Sequence, residues 1–102
     1  MPAVADVVVE LSAQEHVVSS DVVLVVYLRK ATTPIGRGEN AGRTLEEFNI
    51  VRGIRNLGQW KGDAVSFRAP RASLPRGATD VAVLVQSTDQ HQVIGAVTRS
   101  LY

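Results

Sequence analysis

The sequence predicts an all-β domain: an antiparallel β-sandwich of about six to eight strands, immunoglobulin-like in general architecture. Three observations carry that expectation. Valine supplies 17 of the 102 residues, and a side chain branched at Cβ loses freedom in a helix but packs well on a pleated surface. Several short runs alternate apolar and polar residues, the period that places every second side chain on one face of a strand. Turn-forming residues interrupt these runs roughly every ten positions, as in sandwiches built from short strands.

Taken in order, "ADVVVEL" sets Ala5, Val7, Val9 and Leu11 on one face and Asp6, Val8 and Glu10 on the other, the pattern of a half-buried strand. "SAQEHVVSSD" is polar and broken, with room for a short strand at 16–19. "DVVLVVYLRK" is apolar on both faces and predicts a central strand buried on each side. "ATTPIGRGENAG" reads as irregular, because Pro34 lacks a donor and the glycines favour turns.

The segment "RTLEEFNIVRGIRNLGQW" supports two readings. Leu45, Phe48, Val51 and Ile54 recur every third residue, which a helix near 45–57 tolerates, whereas Phe48, Ile50, Arg52 and Ile54 alternate as in a strand. Gly53 would cost a helix about 1 kcal/mol relative to alanine, and the β character of the neighbours favours the strand. "GQWKGD" then reads as a turn. "AVSFRAP" is a strand with Val65, Phe67 and Ala69 inward, and "RASLPRGATD" is a polar connection. "VAVLVQS" is a second strand apolar on both faces, joined through "TDQH" to "QVIGAVTRS" as a hairpin.

The totals exclude several classes. One domain spanning 1–102 is expected for this length, and such a chain buries roughly 65% of its unfolded surface without metals or cross-links. A net charge of +1 creates no field that would gather nucleic acid or anionic lipid. Cysteine is absent, which removes disulfides, thiolate nucleophiles and cysteine metal sites. The N-terminal stretch has no basic region followed by a signal-type apolar run. The longest apolar run, Val22 to Leu28, is seven residues, too short to span a bilayer as a helix.

Candidate chemistry concentrates in "GRGENAGRTLEEFNIVRG", Gly36 to Gly53. Its glycines at 36, 38 and 42 miss the dinucleotide spacing by one residue, and neither a βαβ unit nor a G-K-[ST] accompanies them. His16 and His91 are the only histidines, so no zinc ligand set or cofactor site is expected. No nucleophile elbow occurs, and adjacent Glu46 and Glu47 do not converge as an acid/base pair. No catalytic residue is therefore assigned. The five aromatics do not interleave with the basic residues as a nucleic-acid surface requires.

What remains is the set Arg37, Glu39, Asn40, Arg43, Asn49 and Arg52. Its ordinary use is internal: arginine–carboxylate pairs that pin a loop, and asparagines that satisfy backbone groups in turns or bulges. The sharper alternative is a small-anion or carboxylate site built by Arg37, Arg43 and Arg52.

The blocks "RGENAGRTL" (Arg37 to Leu45), "NIVR" (Asn49 to Arg52) and "LGQW" (Leu57 to Trp60), followed by "VAVLVQ" and "VIGAV", resemble the C-terminal half of secreted bacterial proteins catalogued as domain of unknown function 1223. Leu28 stands where that family usually ends its strand with Tyr-Asp. In the family the N-terminal half is thioredoxin-like and carries a Cys-x-x-Cys-type motif, which this chain lacks, so no thiol chemistry carries over. The resemblance implies a β-rich, non-catalytic accessory domain of a periplasmic or secreted protein. Its expected partner is a thioredoxin-like domain or another protein, and the chain is expected to be either a stand-alone version or part of a longer one. A rival reading, a purely structural fragment, predicts an exposed apolar patch where the missing half would sit.

Overall fold

In the computed structural model the described residues are 6–34, 38 and 42–102. They form six strands: β1 (Val7–Leu11), β2 (Ser20–Pro34), β3 (Thr44–Trp60), β4 (Val65–Ala69), β5 (Asp80–Ser87) and β6 (Val93–Ser100), with a 3-10 turn at Arg71–Ser73. All pairings are antiparallel. One sheet has the order β3-β2-β5-β6, and a second contains only β1 and β4. The all-β antiparallel class and the number of strands are as the sequence predicts.

The helix alternative for 45–57 is incorrect, because β3 runs extended through the whole segment. The register explains the three-residue spacing that suggested it. Val26 pairs with Gly53 and Tyr27 with Val51, so Arg52 has no opposite residue; Val22 pairs with Gly58 and Val23 with Asn56, so Leu57 has none. Each extra residue re-phases the strand, as a β-bulge does. Val51 and Ile54, three apart in sequence, therefore stand on the same face, opposite Tyr27 and Val25. Two boundaries also move: 31–34 belong to β2, and Gly58 to Trp60 belong to β3.

The core lies on one face of the larger sheet. Val22, Leu24 and Val26 of β2 stand opposite Val85, Val83 and Val81 of β5, and all six are buried. β1 and β4 cover them with Val9 and Ala69, flanked by half-buried Val7, Leu11, Val65 and Phe67. Gly58 makes the close approach possible: a Cβ there would lie 2.7 Å from the Phe67 ring. Trp60 closes one end, and its indole N–H donates to the Asp63 carbonyl at 2.6 Å. The 70–78 connection covers the other end, where Arg55 donates to Ser73 Oγ at 3.0 Å and to its carbonyl at 3.1 Å.

The expectation that the two apolar strands are buried on each side is not met. From Val81 to Ser87 the exposure alternates along β5, with Ala82, Leu84 and Gln86 only half-buried between buried neighbours. The molecule measures 57 × 41 × 16 Å, the thickness of two layers. Its radius of gyration is 17.3 Å, against about 13 Å for a compact domain of this length.

Truncating Leu24, which is fully buried, to alanine is expected to cost about 2–5 kcal/mol in urea denaturation. Val25→Ala, one residue away on the half-buried side, is expected to cost under about 1 kcal/mol.

Candidate functional site

The second face of the larger sheet is apolar. The register places Val23, Val25 and Tyr27 of β2, Ala82 and Leu84 of β5, and Ile54 and Val51 of β3 side by side on it. Ile54 is 70% exposed and Val51 52% exposed. β6 extends the patch with Ala96, and with exposed Val93 opposite Gln86. Asp21 and Gln86 form a polar border at one end. No element among the described residues packs over this face, since even its central-strand members remain half-exposed. A contiguous apolar area inside a polar rim is the anatomy of a protein-binding surface.

At the opposite end the border is a fixed polar cluster. Arg29 Nε donates to Asp80 Oδ1 at 3.0 Å, the Thr79 hydroxyl donates to the same oxygen at 2.7 Å, and the Arg29 backbone N–H donates to Thr79 Oγ1 at 2.9 Å. The hydrogen bond from Thr79, and then Arg29, hold the Asp80 carboxyl below its ordinary value of 3.8, against the opposing effect of desolvation. The backbone is tied at the same place, where the Thr79 N–H donates to the Tyr27 carbonyl and the Leu101 N–H to the Thr79 carbonyl.

Beyond this cluster β2 and β3 continue as a two-stranded arm. β5 pairs with β2 only as far as Tyr27, whereas β3 follows β2 to Pro34. Phe48 is 62% exposed on the arm; Lys30 Nζ lies 5.8 Å from its ring centroid and pairs with Glu46 at 3.5 Å. An isolated two-stranded ribbon is marginal in water.

The residues singled out in the sequence fall on the arm and its root. Arg37, Glu39 and Asn40 lie outside the described residues. Arg43 and Arg52 are exposed and sit nine positions apart on or beside β3, on the order of 30 Å at strand rise, so they do not line one pocket. Asn49 adopts φ 53°, the left-handed region that asparagine tolerates better than most residues. Among the described residues no three histidines or carboxylates gather as a metal-binding group. Trp60 belongs to the core. The sequence pattern allowed for an exposed apolar patch without locating it, because the doubly apolar runs of β2 and β5 read as buried on both sides.

A family model for proteins of unknown function, DUF1223, matches residues 2–86. The chain belongs to that family. No curated protein matches it. A crystal structure of an Agrobacterium tumefaciens protein is similar in fold, with a TM-score of 0.70 at 18% identity. That similarity covers 91% of this chain but 40% of the solved one, so this chain spans well under half of that protein's length. No helix among the described residues is long and apolar enough to cross a membrane.

Because the folded state lowers the Asp80 pKa, its contribution is present above the ordinary carboxylate value and is lost as the pH falls through the lower folded value. Asp80→Asn should therefore reduce stability at neutral pH and flatten the stability–pH curve below pH 3.8, measured by urea denaturation across pH. At Asn49, replacement by glycine should be tolerated, whereas valine should cost about 1–2 kcal/mol; thermal melts of the two variants separate a backbone role from a binding role.

Proposed function

We propose that this chain is a non-catalytic accessory domain whose uncovered sheet face and projecting arm dock a second protein domain. The thioredoxin-like domain implied by the family resemblance is the expected occupant. One observation carries the reading: Val23, Val25, Ile54, Ala82 and Leu84 make a continuous apolar surface that nothing among the described residues covers. Burying such side chains yields about 25 cal/mol per Å² of apolar area, a driving force that the chain by itself leaves unused.

Two further facts support it. The similar solved protein carries more than half of its length outside the shared fold, which is room for another domain. The resemblance-bearing residues Thr44 to Ile50 lie on the arm, with Val51 and Arg52 at its root, where the arm residues contribute little to the core and are free to shape a contact. A periplasmic or secreted setting follows from the same resemblance and belongs to this proposal. The anion-site alternative has less behind it, since Arg43 and Arg52 are far apart along β3.

The test is binding of the thioredoxin-like half of a two-domain family member, added in trans and followed by calorimetry. Ile54→Glu and Leu84→Glu should each weaken the complex at least about tenfold, as loss of a central apolar contact does, with thermal midpoints close to that of the parent. Unchanged affinity in both variants would remove the sheet face from the interface.

A further inference from the structure

A second opening lies on the core side and is independent of the docking face. The two-stranded sheet stops one strand short of the sheet beneath it. β1 is bonded to β4 alone, and among the described residues its other edge has no backbone partner. Under that edge the inner face of β6 is uncovered: Val97 is 43% exposed, while its cross-strand neighbour Val83 is 8% exposed. The gap is a groove of about 320 Å³ between β1 and the β5–β6 hairpin, floored by Val81, Val83 and Val97.

The groove has a charged end. Arg71 and Arg99 line it together with Leu101, and Glu10 is its one lining carboxylate. Arg71 lies two residues beyond Ala69, the partner of Val7, so it stands at the Val7 end of β1 with Glu10 toward the other; Arg99 Nη1 donates to the Thr98 carbonyl at 2.8 Å and keeps its remaining donors for a ligand. Arg71 Nε is buried and has no hydrogen-bond partner, a cost that an acceptor placed there would relieve.

We infer that this groove accepts an extended peptide segment of a protein partner, which adds to β1 as an antiparallel third strand. Three features specify that occupant. The open edge offers backbone donors and acceptors at strand spacing, which a peptide strand satisfies. The valine floor takes apolar side chains at every second position of the added strand. The arginine pair takes a carboxylate, and antiparallel addition puts the C-terminal end of the segment beside Val7, so the acidic residue lies at that end. The segment would complete the cover over β6 that β1 and β4 leave open.

The probe is a synthetic peptide alternating valine with threonine and ending in two glutamates, added to the full chain. The readout is amide hydrogen exchange, resolved by residue. The expected result is slowed exchange at alternate amides of Val7–Leu11, with binding about tenfold weaker for the same peptide ending in two lysines. Val97→Glu, at an exposed position on an edge strand, should abolish the protection with little change in thermal midpoint. The inference is overturned if β1 amides exchange at the same rate with peptide up to about 1 mM, or if the lysine-ended peptide binds equally well. Equal protection by octanoate alone would likewise overturn it, by reassigning the groove to a small acyl carboxylate. Protection confined to Ile54 and Leu84 would do so by moving the peptide to the other face.

Discussion

The pairing of β2 with β5 is the contact on which the rest of the molecule depends. It sets Val22, Leu24 and Val26 against Val85, Val83 and Val81 across one face, and that is the face which β1 and β4 cover among the described residues. β1 and β4 contribute five residues each; β4 reaches β3, where Phe67 lies against Gly58, and the inner face of β6 stays open at Val97. Side-chain alternation then decides the exposure of everything else: whatever is odd to the buried set on these strands faces outward. A chain with apolar residues at both parities has one face satisfied and one left over.

That leftover face explains the flatness of the molecule. Burying both sets of valines would take a further layer over the second face; here that set forms a plane bordered by Asp21 and Gln86 at one end and the Arg29–Asp80–Thr79 cluster at the other. The cluster also ties the root of the arm to the sheet, through Arg29 on β2 and Thr79 before β5. The arm therefore leaves the body at a fixed point beside the apolar plane, an arrangement suited to gripping a neighbouring domain from its edge.

Strand identity was legible because period-two alternation and valine content are local properties. The inward set Val7, Val9 and Leu11, and the set Val65, Phe67 and Ala69, could be read directly from the sequence. The conformation of β3 could not. Its bulges at Arg52 and Leu57 depend on the strand opposite, so the same residues carry a helical spacing locally and a strand register in the fold. The missing cover over Val25 and Leu84 was also hidden, since a doubly apolar strand looks the same whether its second layer belongs to the chain or to a partner. The conformation of Asn49 depends on the ribbon around it, and its side-chain type was the only hint.

The two openings differ in kind. The sheet face is broad and apolar and suits a folded domain, whereas the groove beside β1 has a strand edge unpaired among the described residues and is lined by Arg71 and Arg99, which suits a single extended segment. The claim that most needs a direct answer is that the outer face is covered in the working assembly. Carbene footprinting resolved by residue, on the chain alone and in complex with the proposed thioredoxin-like partner domain, addresses it. The account requires labelling at Val25, Ile54 and Leu84 to fall on complex formation while Glu10, Ser66 and Arg68, on the far side of β1 and β4, label as before. Undiminished labelling at Ile54 and Leu84 in a saturated complex would contradict it.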